Sequence, residues 1–120
     1  MRLILATLRP AQVEIVRQAL ADVQVTRMTI CDAQGHGAGP APGVTQEPAV
    51  TQEVVMEIAC NDDFVERTVA RLTAALGDGD LGIGARGTAA PGSAGDPRVV
   101  VLPIADAVQI YREVRGPEAI

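Results

Sequence analysis

Hydrophobic and polar positions follow the same plan twice along this chain. An apolar strand, an amphipathic helix and a second strand occur in residues 1–32 and again in residues 50–102. In the first helix, apolar residues recur every three or four positions. They are Val13, Val16, Ala19, Leu20 and Val23. Two split β-α-β units can share one antiparallel sheet with both helices on one face. The pattern therefore predicts an α+β, ferredoxin-like βαββαβ fold in a single domain, residues 1–120.

The same patterning places the individual elements. Strands are predicted over residues 3–8, 25–31, 50–60 and 98–102. The first helix begins at Pro10, whose missing N–H costs nothing in a first turn. The second helix is predicted to begin at Asn61, a common capping residue type, and to end near Gly77. Residues 105–111 are expected to form a short helix or turn.

Two long segments interrupt this plan. Residues 34–49 carry several Gly and Pro and almost no large apolar side chain, and residues 77–97 are again rich in Gly. Such segments bury too little apolar surface to offset the entropy of ordering a backbone, so we predict both to be mobile without a ligand. Loops of this length are often functional. The chemistry of the protein is therefore expected in the loops.

The composition restricts the class of partner. The ten basic residues are all Arg, and the net charge is -5. Nucleic acid is not an expected partner, because phosphate backbones require clustered positive charge. No apolar run is long enough for membrane insertion or for a signal peptide. Cys31 and Cys60 are expected to be reduced and partly buried. These features predict a cytoplasmic protein.

Two turns carry candidate ligand-binding residues. Gly35-His36-Gly37 sets two residues of unrestricted φ beside exposed N–H groups, as a phosphate cradle requires, although such a sequence is often only a turn. Gly95-Asp96-Pro97-Arg98 carries a cation into the last strand. No nucleophile is paired with a base, so we expect no enzyme. No metal site is expected either, although His36 beside Asp32 leaves a metal ligand as an alternative.

The order and spacing of these parts resemble the PII signal-transduction family almost end to end. The segments that carry the resemblance are Arg9-Pro10, Val16-Arg17-Gln18-Ala19-Leu20, Arg27-Met28-Thr29, Gly35-His36-Gly37, Val54-Val55-Met56-Glu57-Ile58 with Asp62-Asp63, residues 98–104, Ala107-Val108 and residues 115–120. The resemblance implies a ferredoxin-like homotrimer that senses ATP and ADP. It also implies a protein target, such as a membrane transporter or a metabolic enzyme.

In that family the nucleotide lies between neighbouring subunits, under a long T-loop and beside a Gly-rich B-loop. The resemblance implies a T-loop-like segment at 34–49 and a B-loop-like segment at 77–97, with Thr29 at the adenine end. The implied nucleotide-binding residues are Thr29, Gly35, His36, Gly37, Gly95, Arg98 and Arg112. Gly77-Asp78-Gly79-Asp80 is a rival for the B-loop turn. No bound cofactor is required; ATP, ADP or AMP is the candidate effector.

The departures from the family pattern concern charge. The family's two tail arginines are replaced by Gln109 and Tyr111, and only Arg112 partly compensates. The glutamine that helps bind Mg-ATP and 2-oxoglutarate falls near Gly39, and the lysine at the far base of the T-loop falls near Glu53. The T-loop-like segment has no Tyr, so uridylylation at a loop tyrosine is excluded.

Two functions remain open from the sequence. The first is a PII-like trimeric sensor that binds an adenine nucleotide or similar small anion between subunits and controls a protein target through a mobile loop, in nitrogen or carbon regulation. The second is a PII-fold trimer without nucleotide binding that serves as a protein-binding module or as a metal-responsive module like the CutA proteins. The lost charges favour the second function, and Thr29, Gly35, Gly37 and Arg98 favour the first.

Overall fold

Four long strands and two helices form the scaffold of the chain. The computed structural model describes residues 1–36, 50–77 and 97–120. The elements are β1 (Arg2–Leu8), α1 (Val13–Ala21), β2 (Thr29–His36), β3 (Val50–Cys60), α2 (Asp62–Gly77), β4 (Arg98–Pro103), β5 (Val108–Gln109) and β6 (Val114–Arg115). Short 3-10 turns at Pro10–Gln12 and Gly116–Ala119 precede α1 and follow β6.

The four long strands form one antiparallel sheet in the order β2-β3-β1-β4. Strands β1 and β3 lie at its centre, and each is joined through a helix to the strand that lies two places away. This is the split β-α-β arrangement repeated twice. The predicted ferredoxin-like α+β fold is confirmed.

The core lies between the sheet and the two helices. Alternate residues of β1 and β3 point toward the helices, since neighbouring residues of a strand face opposite sides of a sheet. Ile4 is paired with Ile58, and Ala6 with Met56. The fully buried apolar residues of this layer are Ile4, Ala6, Leu8, Val16, Leu20, Met56, Ile58 and Leu72. The core is thus aliphatic, as the low aromatic content of the sequence requires.

The other face of the sheet, which we call the open face, also carries apolar side chains. Leu5 pairs with Val100 and Leu3 with Leu102, and all four lie on the side away from the helices. Val100 is 46% exposed and Leu102 is 40% exposed. No element of the described chain covers this face, because α1 and α2 both pack on the opposite side. An apolar sheet face in water requires a cover.

The structure corrects several local predictions. Strand β2 begins at Thr29 rather than at residue 25, and residues 34–36, predicted to be loop, continue this strand opposite residues 50–52. Cys31 is exposed and not partly buried, whereas Cys60 is buried and both thiols are free. Residues 105–111 were predicted to form a short helix or turn. They contain no helix, because Val108–Gln109 pairs with Val114–Arg115 in a small hairpin, and residues 110–111 begin the turn of that hairpin.

The rest of the two predicted loops, residues 37–49 and 78–96, lies outside the described residues, as does most of the Gly77-Asp78-Gly79-Asp80 turn. Within the described part of the chain, neither helix is long and apolar enough to cross a bilayer.

Candidate functional site

A cleft of about 730 Å³ lies where the segment before β2, the end of β3 and the C-terminal tail meet. Thr29 lines it, as do Glu57 on β3 and Phe64 on α2. The remaining lining residues are Gln24, Val25, Thr26, Arg27, Met28, Ala59, Cys60, Asn61, Ala107, Ala119 and Ile120. A cleft of this size fits a small molecule such as a nucleoside.

The cleft lining is mostly apolar and its charged side chains balance. Among the described residues that line it, Arg27 and Glu57 are the only ones with charged side chains. Burial raises the pKa of the Cys60 thiol, so this sulfur stays protonated at neutral pH and is a poor nucleophile. Its uncharged hydrogen-bonding side chains are those of Gln24, Thr26, Thr29 and Asn61, which can donate to or accept from a bound molecule.

The C-terminal tail forms one wall of this cleft because two hydrogen bonds hold it there. The side-chain Nδ2 of Asn61 donates to the carbonyl of Pro117 at 3.2 Å, and the Gly116 N–H donates to the Ala107 carbonyl at 2.8 Å. Gly116 has φ +75°, a conformation that favours glycine. Asn61 does not cap α2 as predicted, since its Oδ1 has no hydrogen-bond partner. This side chain instead holds the tail against the junction of β3 and α2.

An ion pair closes the base of the β5–β6 hairpin. The Arg115 guanidinium donates a hydrogen bond to Oδ2 of Asp106 and forms an ion pair with this carboxylate. The other carboxylate oxygen, Oδ1, accepts a hydrogen bond from the Ala107 N–H at 3.0 Å. Arg115 holds the pKa of the Asp106 carboxyl below its usual range, with a further contribution from the Ala107 N–H. The pair orients Ala107, which lines the cleft.

The order of this hairpin should therefore depend on pH. The pKa of Asp106 is lower in the folded hairpin than in the unfolded one. The ion pair therefore contributes fully to the stability of the hairpin above the ordinary pKa range of a carboxyl group. This contribution to stability is lost as the pH falls through the pKa of Asp106 in the folded hairpin. Amide exchange at Ala107 and Gly116 should rise relative to the core below about pH 4. In Asp106→Asn, exchange should already be raised at pH 7 and should show little further acid dependence. Glu118→Gln is the matched control, and an equal change in that variant would contradict the assignment.

Gly35 lies near the far end of β2 and contacts a buried acid. A Cβ at Gly35 would lie 2.1 Å from Oε1 of Glu53, which is 5% exposed. The Thr51 hydroxyl lies 3.4 Å from the Gly35 carbonyl oxygen. Any side chain at position 35 would therefore have to displace the end of the Glu53 side chain on the open face. The carboxylate lies where the resemblance implies the phosphate side of a T-loop base.

Replacing Gly35 with alanine should displace the Glu53 carboxylate. The end of a glutamate is flexible, but this one is buried, so we expect the free energy of unfolding to fall by about 1 kcal/mol. In a Glu53→Ala background the same replacement should cost less, because the two residues are in contact. Gly77→Ala is the control, since nothing lies within 4 Å of a Cβ there. Urea denaturation of the four variants measures the coupling, and additive effects would contradict the contact.

One chain does not bring the sequence-predicted binding residues together. Thr29 lines the cleft, but Gly35 lies six residues further along β2, about 20 Å away. Arg98 begins β4 at the opposite edge of the sheet, in register with Thr7. Three strand spacings of about 4.8 Å therefore separate it from β2. By register Thr29, Gly35 and Arg98 share the open face.

The remaining predicted residues are more scattered. His36 pairs with Val50 and lies on the opposite side of β2 from Gly35. Arg112 lies in the exposed turn of the β5–β6 hairpin. Gly37 and Gly95 lie outside the described residues. Asp32 and His36 stand four residues apart on a straight strand, about 13 Å, which is too far for a shared metal ion.

Sequence reasoning missed most of the cleft. From the sequence, Arg27, Met28 and Glu57 were named only as parts of segments that resemble the family, and Phe64 was not assigned to a site. The available signal was Gly116-Pro117, which ends the hairpin and turns the tail back toward Asn61. The residue that this turn contacts, Asn61, is 56 positions away in the chain. The local sequence therefore does not predict where the tail packs.

Comparison with known proteins agrees with the fold. The family model described as nitrogen regulatory protein P-II matches residues 1–113. The nitrogen regulatory protein GlnK1 of Methanosarcina mazei is 27% identical, over 100% of this chain and 97% of that protein. The nitrogen regulatory protein P-II of Azospirillum brasilense is 29% identical, over 100% of both chains. GlnK2 of Haloferax mediterranei is 25% identical, over 99% of this chain and 90% of its own. The chain therefore belongs to the nitrogen regulatory P-II family, whose members are signal transducers.

Proposed function

We propose that this protein is a trimeric regulatory sensor that binds an adenine nucleotide between subunits and controls a protein target through residues 34–49. Proteins of the family are regulators, and they typically form trimers and bind protein targets. Nucleotide binding, the subunit arrangement and control of a target are the parts that we add for this chain.

The observation that carries the proposal is the separation of Thr29 and Arg98. Thr29 lines the cleft on one edge strand, and Arg98 begins the other edge strand of the same sheet. By register the two residues lie three strand spacings and two residues apart, about 16 Å between Cα atoms, with β3 and β1 between them. Within one chain a shared ligand would have to lie across the open face over β3 and β1. We therefore place the cleft of one chain against β4 of a second chain, so that Arg98 reaches the ligand from the neighbour. An assembly of this kind is heterologous, and it closes as a ring when each chain is rotated by a third of a turn from its neighbour, as in a trimer.

The open face supports the same assembly. Its apolar side chains, including Val100 and Leu102, need a cover that the described chain does not supply. Three sheets that enclose these faces would cover them and would place an edge strand of each chain beside its neighbour.

Coupling to a target follows from the position of Gly35. Strands β2 and β3 continue as a paired ribbon beyond the end of β1, as far as His36 and Val50. The segment between these two residues begins at the end of that ribbon. A ligand that binds the ribbon more tightly in one conformation of this segment shifts the population toward that conformation. A target protein that binds only this conformation then responds to the ligand.

Isothermal titration calorimetry with ATP, ADP and AMP tests the proposal. We expect saturable binding with one site for each chain. The second function, a family trimer that binds protein without a nucleotide, is favoured by the loss of tail charge at Gln109 and Tyr111. If all three nucleotides at millimolar concentration give no more heat than the dilution blank, the second function is favoured and the sensor function is contradicted.

The same titration should show no tight binding of 2-oxoglutarate, with or without Mg-ATP. Glu53 is buried beside Gly35 and places a carboxylate near the position that a dicarboxylate would need. Like charges at short range oppose binding in a partly buried site. Low-micromolar affinity for 2-oxoglutarate would show that Glu53 lies elsewhere relative to the ligand. Succinate serves as the control for non-specific dicarboxylate binding.

A further inference from the structure

Helix α2 places the one phenylalanine of the chain in the wall of the cleft. The sequence contains one Phe, one Tyr and no Trp, and residues 37–49 and 78–96 contain none of these residue types. Phe64 lies in the first turn of α2 and lines the cleft. Tyr111 is fully exposed in the turn of the β5–β6 hairpin and is not among the residues that line it. Of these two rings, Phe64 is therefore the one that a ligand in the cleft of the same chain can contact.

Hydrogen bonds fix the backbone of Phe64 on both sides. Its N–H donates to the Asn61 carbonyl at 2.9 Å, and its carbonyl accepts a hydrogen bond from the Thr68 hydroxyl at 2.7 Å. Thr68 is completely buried, so water does not compete for this hydrogen bond. The position of the Phe64 backbone is therefore set before a ligand arrives, which reduces the conformational entropy that binding must remove.

A cation–π contact holds the Phe64 ring itself. The guanidinium carbon of Arg67 lies 3.6 Å from the centroid of this ring, well inside the range of about 6 Å in which such contacts are attractive. Residues three positions apart are neighbours on the surface of a helix, so α2 brings the two side chains together. The guanidinium covers one face of the ring. The edge and the other face are left for the hydrophobic core and the cleft.

The side chains that line the cleft with Phe64 suit a flat, uncharged ring. Val25 and Met28 line the same cleft and belong to the same hydrophobic cluster as Phe64. Thr26 and Thr29 add hydroxyl groups to this lining. A nucleobase has apolar faces and a hydrogen-bonding edge, and ligand pockets combine apolar walls with a few polar groups. The base is therefore the part of a nucleotide that matches this wall.

We propose that Phe64 contacts the base of the nucleotide, and that Arg67 is a positioning residue that holds the Phe64 ring in place. This inference rests on the proposed function, since it assigns a contact within the same site. Calorimetry uses the nucleotide among AMP, ADP and ATP that the wild type binds most tightly. Phe64→Leu keeps an apolar side chain but removes the ring. It should weaken binding by about three- to tenfold, because an aromatic pair contributes beyond the area that it buries.

Arg67→Gln should weaken binding of the same nucleotide by about two- to fivefold, because the ring loses the contact that fixes its orientation. Arg67→Lys should recover most of this loss, since an ammonium group also makes a cation–π contact. In a Phe64→Leu background, Arg67→Gln should change the affinity no further, because Arg67 acts through the ring. Arg71→Gln is the matched control. It removes the same charge one turn further along α2, where Arg71 pairs with Asp22 at 3.1 Å, and should leave the affinity unchanged.

Fluorescence gives a readout that a purely structural role of Phe64 would not change. The chain has no tryptophan, so Phe64→Trp places a single indole in the wall of the cleft. Titration with the nucleotide should change the emission of this indole in parallel with the heat of binding, because a stacked base alters its surroundings. Ile15→Trp is the control, since Ile15 lies on α1 and is not among the residues that line the cleft. Its emission should stay constant.

Each result decides the inference. Wild-type affinity in Phe64→Leu, or an indole at position 64 that does not respond to bound nucleotide, would overturn the contact and leave the proposed sensor function standing. An effect of Arg67→Gln that persists without the ring, or that Arg71→Gln equals, would overturn the positioning role of Arg67. If Phe64→Leu does not fold, the emission of Phe64→Trp decides. If the wild type binds none of the three nucleotides at millimolar concentration, the proposed function itself fails, and this contact fails with it.

Discussion

Replacing Val100 with glutamate should convert the assembled protein into single folded chains. Val100 is paired with Leu5 on the open face and is 46% exposed in one chain. In the proposed trimer three copies would meet near the centre, where unpaired carboxylates would lose hydration and repel each other. Light scattering at micromolar concentration should give a trimer mass for the wild type and about a third of that mass for the variant.

The control for this prediction is Ile15→Glu. Ile15 lies on α1 and is 36% exposed, so it is an apolar residue of similar exposure in the helical layer. It should leave the assembly intact. Circular dichroism of both variants must match the wild type, so that a change in mass reports assembly. A wild-type chain that is monomeric at this concentration would contradict the proposed arrangement.

Arg98→Ala should weaken nucleotide binding by about ten- to a hundredfold, because a charge-assisted hydrogen bond to phosphate contributes about 1.5–3 kcal/mol. Arg98 is exposed at the start of β4, and its loss should not change the fold. Arg112→Ala should have a smaller effect, since Arg112 lies in the turn of the hairpin. Calorimetric titration with AMP measures both variants.

The matched control for Arg98 is Arg17→Ala, which removes the same charge from the surface of α1. Arg17 pairs with Glu14 at 2.9 Å, three residues away, and should not influence the ligand. If Arg98→Ala binds AMP as the wild type does, the phosphate lies beside another part of the B-loop-like segment, and the Gly77-Asp78-Gly79-Asp80 turn becomes the better candidate.

The parts of the fold that the sequence predicted well are those with a strong periodic pattern. Strand β3 begins at Val50 and ends at Cys60, as predicted, because alternate residues such as Val54 and Met56 all enter the core. Helix α2 ends at Gly77 as expected. In both elements one face is buried, so apolar residues recur with the period of the strand or of the helix, and the sequence reveals the element.

Strand β2 shows why the same reasoning failed elsewhere. Residues 25–28 alternate in polarity but pair with none of the strands that the structure describes. Val25 instead donates its N–H to the Leu20 carbonyl at 3.0 Å and packs with Met28 against the core. Residues 34–36 have no apolar pattern, and pairing with the long β3 makes them strand. The bounds of β2 and its register therefore depend on pairing with β3, which the local sequence of β2 does not specify.

The candidate site was predictable only in part for a related reason. Thr29 was assigned to the adenine end through the family resemblance, and it does line the cleft. The cleft itself joins residues 24–29, 57–64 and 107–120 of the chain, and the tail reaches it through Asn61 and Pro117. No periodicity signals such a contact. The separation of Arg98 from Thr29 follows from strand order, which the sequence pattern alone leaves open.

The most direct test of the central claim is to mix two chains that are each defective in one half of the site. Thr29→Trp should fill the cleft, and Arg98→Ala should remove the phosphate contact, so homotrimers of either variant should bind AMP weakly. In trimers co-expressed from equal amounts of both chains, a site between subunits has both halves intact with a probability of about one quarter. We predict that about a quarter of the sites recover wild-type affinity. Mixed trimers that recover none of it would show that each site lies within one chain and would contradict the account.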